Sequence, residues 1–480
     1  MESLKKNAKS IFIMGILFLT EISAIIRANV LYNDDLGRNL EGYMGNAYDS
    51  RYISDWISIL VNCNKHVSDV SPLTQILACL FLALSVIIVF KILGKSEKIG
   101  ILPYVCGTII LSPYFLENIS YKVDSVFMAL SILAVIIPFL WMDSKYKYIA
   151  ASVIGLLVMC MTYQASSGVY PMLVILIAFW NWNYGKNTLK ESLIFVAKSA
   201  ITYILTLAFF AVFLVKPIEE GYINNGVSFG NNIFAAVMHN YINIYMTIIA
   251  DFMKWWNLLA ILVAIAFVTV SVLSSQVKKI YAFIGAIVTG ILLLLTAFGV
   301  YPLLDSTLIE PRSMYGFSIL LFLISAIVVC YGQGTVGYIS KGFVAIMAWC
   351  FFTFSFIYGN ALSIQMDYVD FRTEEVIDDL TDLECYLQDG EKDILIKGST
   401  GFAPSIENLP YDYVLIHKLV PNYLEEGTNE WSSYRFYSYY GLKDVKRVSD
   451  VSDEDGFELC HESSYHRILS KGNEIIVELK

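Results

Sequence analysis

The chain has 480 residues, of which 56% are hydrophobic and only 16% are charged. Soluble domains average about 45–50% apolar and about 25% charged residues, and a water-soluble globule of this length could not bury so much apolar surface. The composition excludes a cytosolic enzyme, a secreted domain and a nucleic-acid-binding protein, and it predicts a polytopic membrane protein. The formal charge of −10 is unevenly spread, because residues 1–360 carry a net charge of +4 and residues 361–480 carry −14.

Eleven apolar runs are candidates for bilayer-spanning helices, which need about 20 residues; the fifth and sixth are shorter, as broken or tilted spans would be. They lie at 10–28, 73–92, 99–117, 124–142, 148–163, 168–182, 194–214, 256–273, 281–300, 314–331 and 342–360. Glu21 interrupts the first run and no convincing small-residue cleavage site follows it, so we predict a retained span rather than a signal peptide. The prediction is a transmembrane domain over 1–360 and a soluble domain over 361–480.

The charges of the connecting loops predict the orientation of the chain. Lysines precede the first run and recur in alternate loops, which places those loops in the cytoplasm. The lysines are Lys5, Lys6, Lys9, Lys91, Lys95, Lys98, Lys145, Lys147, Lys186, Lys190, Lys278, Lys279 and Lys341. We therefore predict a multi-pass protein of the cytoplasmic membrane, with the N-terminus inside and the acidic C-terminal domain outside.

Two segments on the predicted outer side, 29–72 and 215–255, are long, and we expect them to form catalytic loops. In the first, Ile53, Trp56 and Leu60 recur at helical spacing, which predicts an amphipathic helix on the membrane surface. A channel or a simple carrier has little need for such a loop.

Two adjacent carboxylates, Asp34 and Asp35, stand just beyond the first predicted span, in the segment NDDLGR that ends at Arg38. Adjacent residues cannot share one helical face, so we expect one carboxylate to point into a site and the other to cap or brace the turn. A carboxylate at the bilayer edge with an arginine nearby suits general-base chemistry. Helix capping in a solvated loop explains the same residues, and the sequence leaves both interpretations open.

Further polar residues occupy other turns on the same predicted side. They are Asn118, Tyr121, Lys122 and Asp124 in ENISYKVDS, Tyr163 and Gln164 in TYQASSG, and Arg312 in EPRSMYG. Any single one could be an interfacial or snorkelling side chain. Lys122 and Arg312 fit that explanation less well, because each stands in a tight turn beside carboxylates. Cations at this face suit a lipid-linked phosphate, which an arginine can bind through two oxygens.

The order of these motifs resembles a known family. NDDLGR, PLTQIL, LSPYFLENISYKVDS, TYQASSGVY, a late outer-loop arginine and the tail segment DILIKGSTGFAPSIENLPYDYVLIHKLVP follow one another along most of the chain. The sequence is similar to the type-two membrane glucosyltransferases known from serotype-converting O-antigen modification. These resemble the wider polytopic, GT-C-like class of lipid-phosphate-sugar-dependent glycosyltransferases. One departure from the family is Asp49-Ser50-Arg51, which stands where relatives have a Gly-Arg pair.

The resemblance implies a polyprenyl-phosphate-glucose donor, supplied by a donor-synthesising transferase and a flippase, and a polysaccharide acceptor outside the membrane. It implies that Asp35 or Asp34 is the base of an inverting displacement. The donor phosphate would be bound by Arg312, Lys122, Arg51 and Arg38, and the substrates by Asn118, Tyr121, Asp124, Tyr163 and Gln164. No cofactor is expected, since a monophosphate donor carries little charge, although Asp34, Asp35 and Asp124 could together hold a divalent metal.

Two other classes of function remain as alternatives. A flippase, polymerase or other transporter would place ionisable residues deep in its spans, and Glu21 is the one deep candidate. A structural or sensor protein would explain the acidic tail but not the paired aspartates. The polar residues gather at one predicted face of the membrane. An enzyme whose active site lies on that face explains this better than either alternative.

The acidic tail predicts a small α+β domain. A helix is expected at 367–388, a strand at 393–397 and a hairpin at 465–479 around Ser470-Lys471-Gly472-Asn473. The eight cysteines show no metal-type spacing. A disulfide between Cys385 and Cys460 is left open, because sequence spacing does not establish proximity.

Overall fold

A computed structural model gives the fold of the chain. It describes residues 2–94, 100–215, 233–304, 307–409, 413–426, 436, 439–448, 450–451 and 456–480. The described residues form two compact units. The first comprises residues 1–26 and 44–357, and the second comprises residues 27–43 and 358–480.

Helices make up most of the described part of the first unit. Its α-helices are Glu2–Glu21, Tyr52–Asn62, Leu73–Ile92, Ile101–Thr108, Pro113–Ser120, Ser125–Ile136, Lys145–Cys160, Val169–Asn183, Leu189–Phe213, Ile233–Asp251, Lys254–Leu273, Lys279–Thr296, Pro311–Met314 and Gly316–Tyr331, and the helix Ser23–Ala28 begins in it. Short 3-10 segments extend or join them at Asn46–Asp49, Ile109–Leu111, Ile137–Trp141, Gln164–Gly168 and Tyr301–Leu303. The long helix Gly334–Thr381 begins in this unit.

Eight helical segments in the described ranges are long and apolar enough to cross a membrane. These segments differ widely in the share of their residues that is buried. The apolar stretch of Pro311–Tyr331 is 94% buried, whereas that of Ile233–Asp251 is 17% buried. Large apolar side chains such as Phe213 and Ile204 are exposed on the outer helices, and contiguous apolar surface on this scale is unfavourable in water. The exposed apolar faces indicate a membrane protein.

The structure corrects the prediction of a long loop over 215–255. Residues 233–251 form a helix, while 216–232 lie outside the described residues. Asn240, in the middle of this helix, has hydrogen-bond partners within the fold, since its Nδ2 donates to the carbonyls of Pro302 and Leu304 at 3.0 and 2.9 Å. Polar residues such as Asn240 lower the mean hydropathy of the segment, which is why the sequence suggested a loop. The predicted surface helix is confirmed as a helix at Tyr52–Asn62.

The second unit holds a five-stranded mixed sheet. The strands are β1 Lys392–Gly398, β2 Val445–Arg447, β3 Glu458–Glu462, β4 His466–Lys471 and β5 Glu474–Leu479, in the order β2-β1-β5-β4-β3. β1 is parallel to β2 and β5, and β4 is antiparallel to β3 and β5. The predicted strand at 393–397 and the predicted hairpin at 465–479 are confirmed.

Helices complete the second unit. They are the second part of Gly334–Thr381 together with Asp34–Glu41, Glu384–Leu387, Pro404–Glu407 and Val414–Leu419. The predicted helix at 367–388 is continuous with the preceding apolar helix as far as Thr381. The thiols of Cys385 and Cys460 are free and lie next to each other, with Ser470 Oγ 2.9 Å from Cys460 Sγ. Burial raises the pKa of the Cys385 thiol.

Candidate active site

Glu117 and Arg312 form a buried ion pair in the first unit, and several of the predicted site residues contact it. Arg312 Nη1 donates to Glu117 Oε1 at 2.9 Å, and the Arg312 backbone N–H donates to Oε2 at 2.6 Å. The Glu117 side chain is 3% exposed and that of Arg312 is 23% exposed. Both carboxylate oxygens are thus engaged by one residue, which fixes the direction of the guanidinium while leaving its outer side reachable from solvent.

Two of the predicted substrate-binding residues, Asn118 and Tyr163, bind the backbone of Arg312. Asn118 Nδ2 and the Tyr163 hydroxyl both donate to the Arg312 carbonyl, each at 3.1 Å. Tyr163 stacks on Tyr315, with ring centroids 6.3 Å apart and an angle of 17° between the planes. Arg312 is therefore braced through its side chain, its amide and its carbonyl.

A second arginine joins this group through Tyr163. The Arg51 guanidinium lies over the Tyr163 ring, 5.2 Å from its centroid, and its Nε donates to Gln164 Oε1 at 2.9 Å. Its Nη1 lies 3.5 Å from Asp49 Oδ2. Gln164 Nε2 in turn donates to the Asp49 carbonyl at 3.2 Å. Asp49 thus supplies Arg51 with a carboxylate partner.

Both cations influence a third aromatic residue. Burial raises the pKa of Tyr301, and Arg51 and Arg312 each oppose that rise through their positive charge. The two arginines are therefore close enough to Tyr301 to act on a single group. We call Arg51, Glu117, Asn118, Tyr163, Gln164, Tyr301 and Arg312 the arginine cluster.

Glycine makes the close packing beneath the arginine cluster possible. A Cβ on Gly316 would lie 1.9 Å from the Ala297 carbonyl oxygen, and one on Gly168 would lie 2.3 Å from the same oxygen. Gly299 has a positive φ of 53°, a conformation that L side chains rarely adopt. The turns that carry Tyr163, Tyr301 and Arg312 approach each other because these positions have no side chain.

Lys122, Asp124 and Tyr121 are the remaining predicted residues of this unit. Lys122 is buried and its Nζ lies 2.6 Å from Asp69 Oδ2, so its charge is already paired. Asp124 is buried at the start of the helix Ser125–Ile136. Tyr121 is buried and acts electrostatically on Arg312.

The paired aspartates belong to the second unit. They open the helix Asp34–Glu41, in which Asp35 and Arg38 are buried and Asp34 is half-buried. Asn33, just before this helix, has a positive φ of 45°. The two carboxylates thus differ in exposure, as adjacent positions on a helix must when one face is packed.

Three hydrogen bonds join the C-terminal region to residues 31–35, which we call the acidic turn. The Tyr423 hydroxyl accepts from the Asn33 N–H at 2.8 Å and donates to the Leu31 carbonyl at 3.0 Å. The Tyr32 hydroxyl donates to the Leu419 carbonyl at 2.8 Å. Tyr32 and Tyr423 are both buried. The segment with the aspartates is therefore an integral part of the C-terminal fold.

Residues 23–323 match the family model described as Glucosyl transferase GtrII. The match covers more than half of the chain. The chain belongs to the GtrII glucosyl transferase family. The family resemblance that the motifs indicated is confirmed. The matched range contains the arginine cluster and both aspartates.

One curated relative of this GtrII chain is the "Uncharacterized 55.3 kDa protein in gtrB 5'region" of Salmonella phage P22. The two are 28% identical over 220 residues, and the match spans 44% of each chain, so less than half the length of that relative is covered. No solved structure matches the chain.

Sequence reasoning missed several residues that contact the predicted site residues. Glu117 and Asp69 were grouped with the general acidity of the outer loops, although they are the partners of Arg312 and Lys122. Tyr301 and Tyr315 resembled ordinary interfacial aromatics. The sequence did contain an indication for Glu117. A carboxylate at the end of an apolar run, directly before Asn118, is not explained by solvation in a loop and so calls for a buried partner.

Proposed function

We propose that the chain transfers glucose from a polyprenyl-phosphate donor to a polysaccharide of the cell envelope, outside the cytoplasmic membrane. The observation that carries this proposal is the arginine cluster, in which Arg51 and Arg312 are both held beside Tyr163. Membership of a glucosyl transferase family supports the choice of sugar. The exposed apolar helices support a donor that stays anchored in lipid.

The chemistry of the arginine cluster suits a phosphate group joined to a sugar. A guanidinium can donate two parallel hydrogen bonds to phosphate oxygens, and the side chains of Arg51 and Arg312 are 22% and 23% exposed. Each is oriented by a carboxylate, so little side-chain freedom is lost when the phosphate binds.

The proposed reaction is a single displacement at the anomeric carbon. Asp35 or Asp34 takes the proton of an acceptor hydroxyl as that oxygen bonds to C1 and the bond from C1 to the phosphate oxygen breaks. The donor phosphodiester carries one negative charge and the departing polyprenyl phosphate gains a second. Arg312 and Arg51 would stabilise that added charge, with Arg38 in support, while Asn118, Tyr121, Asp124 and Gln164 would position the substrates. The configuration at C1 inverts.

The paired charge of Lys122 makes it a weaker candidate for the phosphate than the two arginines. The proposed reaction requires no metal, because the leaving group is already a stable anion. A donor-synthesising transferase and a flippase would supply the lipid-linked sugar on the side of the membrane where the acceptor lies.

The second unit supports one part of the proposed orientation. The acidic turn and the C-terminal region share hydrogen bonds, so both must lie on the same side of the membrane. The lysines before the first span favour an internal N-terminus. We infer that Asp34, Asp35 and the C-terminal domain face outwards, and that the chain crosses the bilayer an even number of times between residues 43 and 358.

The test uses a deletion strain complemented with wild-type protein, Asp34→Asn, Asp35→Asn or Arg312→Gln. Glu41→Gln is the matched control, since Glu41 is an exposed carboxylate on the same helix as the aspartates. Membrane levels of each protein are measured first, and the envelope polysaccharide is then purified for sugar analysis and NMR. We expect one glucose side branch to vanish on deletion and to return with wild type and Glu41→Gln.

The outcomes separate the proposal from its alternatives. Loss of the branch in an aspartate variant that reaches the membrane supports the base assignment, and loss in Arg312→Gln supports phosphate binding. A polysaccharide that is absent or shortened in the deletion strain would favour a flippase or polymerase instead. If both aspartate variants restore the branch fully, the assignment of the base is wrong.

A further inference from the structure

A cluster in the second unit brings together three groups that can bind a metal ion. Asp379 lies near the end of the helix Gly334–Thr381, His461 is on β3 and His466 begins β4. One oxygen, Asp379 Oδ2, lies 3.0 Å from His461 Nε2 and 3.0 Å from His466 Nε2. The three donor atoms all lie within 4.8 Å of one another.

The sheet explains why the two histidines meet. In the β3–β4 pairing His461 is opposite Ile468. Alternate residues of a strand share a face, so His466 lies on the same face as Ile468 and diagonally from His461. The imidazole rings are nearly parallel, with centroids 5.6 Å apart and an angle of 27° between them. The hairpin therefore presents both rings to the helix that carries Asp379.

Hydrogen bonding alone does not account for this arrangement. Neither Nε2 atom makes a well-aligned hydrogen bond among the described residues, although each is 3.0 Å from the same carboxylate oxygen. His466 is fully buried. A buried polar atom without a partner costs roughly 1–3 kcal/mol, so three converging donors with such geometry indicate a shared cation.

Ser463 contacts both the backbone and the ring of His466. Ser463 Oγ donates to the His466 carbonyl at 3.3 Å and accepts from the His466 and Tyr465 N–H groups at 3.2 Å. The same oxygen lies 3.4 Å from His466 Nδ1. A hydroxyl has one proton to donate and two lone pairs to accept, so these contacts position the His466 ring without fixing its tautomer. Metal binding through Nε2 places the ring proton on Nδ1, beside Ser463.

We propose that Asp379, His461 and His466 bind a divalent transition-metal ion, with Zn²⁺ as the best match. Two imidazoles and a carboxylate suit zinc, at about 2.0–2.2 Å from each donor atom. Asp379 and His461 are 31% exposed, so water can complete a tetrahedral site. The ion joins the end of the helix to the β3–β4 hairpin and closes a loop of about 80 residues. This site is separate from the proposed transfer chemistry and does not depend on it.

The test measures zinc on the full-length protein, purified in detergent with a tag that contains no histidine. The protein is stripped with a chelator, and its affinity for added Zn²⁺ is determined by competition with a zinc-binding dye, with bound metal counted by mass spectrometry. The variants are His461→Ala, Asp379→Asn and Ser463→Ala. His417→Ala is the matched control, since His417 belongs to the same unit but not to the cluster. A Cys385→Ser, Cys460→Ser double variant removes the neighbouring thiols as competing ligands.

Wild type, His417→Ala and the double cysteine variant should each bind one Zn²⁺ per chain. Loss of a residue that orients a metal ligand usually weakens metal binding about 10–100-fold, so Ser463→Ala should raise Kd about 10-fold and the ligand variants should raise it by about 100-fold or more. Asp379 and His461 are partly exposed, so their replacement should leave the fold intact, which circular dichroism checks. Equal zinc affinity in wild type and His461→Ala would overturn the proposal, and so would loss of the bound zinc in the double cysteine variant alone.

Discussion

The ion pair between Glu117 and Arg312 yields a quantitative prediction about stability. Arg312→Gln leaves a carboxylate that is 3% exposed without its cation, whereas Glu117→Gln leaves a guanidinium that is 23% exposed and partly hydrated. Breaking a buried pair from one side costs about 3–5 kcal/mol. We expect Arg312→Gln to fall in that range. Glu117→Gln should cost less, about 2–3 kcal/mol, because water reaches the remaining charge and the amide oxygen still accepts one hydrogen bond.

The double variant decides whether the two residues act as a unit. Once either partner is absent, removing the other relieves an unpaired charge, so the two costs should not add. We expect an interaction energy of about 2 kcal/mol or more in the double-mutant cycle, where independent sites agree within about 0.5 kcal/mol. Arg312→Lys, which keeps the charge but loses the planar fork, should lie between wild type and Arg312→Gln.

The assay is unfolding of the purified protein in mixed micelles by a denaturing detergent, followed by tryptophan fluorescence. Free energies of unfolding are compared for wild type, both single variants and the double variant under one set of conditions. Additive costs would refute the reasoning, because they would mean that the pair is hydrated and worth little. A larger cost for Glu117→Gln than for Arg312→Gln would show that the burial argument has the wrong sign.

Three further predictions concern other parts of the chain. Tyr423→Phe removes the hydroxyl that holds the acidic turn. Loss of its two hydrogen bonds should lower the local stability by about 2 kcal/mol, so the Asn33 amide should exchange with deuterium at least 10-fold faster. Gly316→Ala forces a Cβ to within 1.9 Å of a carbonyl oxygen and should abolish folded protein on size-exclusion chromatography, while Gly290→Ala, which meets nothing within 4 Å, should be neutral. Oxidised glutathione should convert the Cys385 and Cys460 thiols to a disulfide, detectable by peptide mass spectrometry with release of two reduced glutathione molecules. Attack should begin at Cys460, the exposed thiol.

The sequence was sufficient where a local pattern determines the structure. The alternation of the segment at 393–397 and the turn residues at 470–473 predicted β1 and the β4–β5 hairpin, because side-chain period and turn chemistry act over a few residues. The surface helix that begins at Tyr52 followed from helical spacing in the same way. These predictions needed no knowledge of distant partners.

The sequence was insufficient where distant residues supply the explanation. Ile233–Asp251 contains Asn240, whose cost in an apolar helix is offset by two carbonyls some sixty positions away. The arginine cluster joins residues 51, 117, 163 and 312, and no local pattern connects Glu117 with Arg312. Composition could identify a set of polar residues at turns, but their pairing depends on how the helices pack.

The bonds between the acidic turn and Tyr423 also constrain the order in which the protein can fold. Asn33 and Tyr423 are 390 residues apart in sequence. At a synthesis rate of about 5–20 residues per second, the ribosome needs roughly 20–80 s to make the chain that separates them. Throughout that interval the two carboxylates have emerged without the residues that later hold them in place. Completion of the second unit is therefore a late, post-insertion event, and a ribosome that stalls before residue 423 releases a chain with its first unit but without a formed acidic turn.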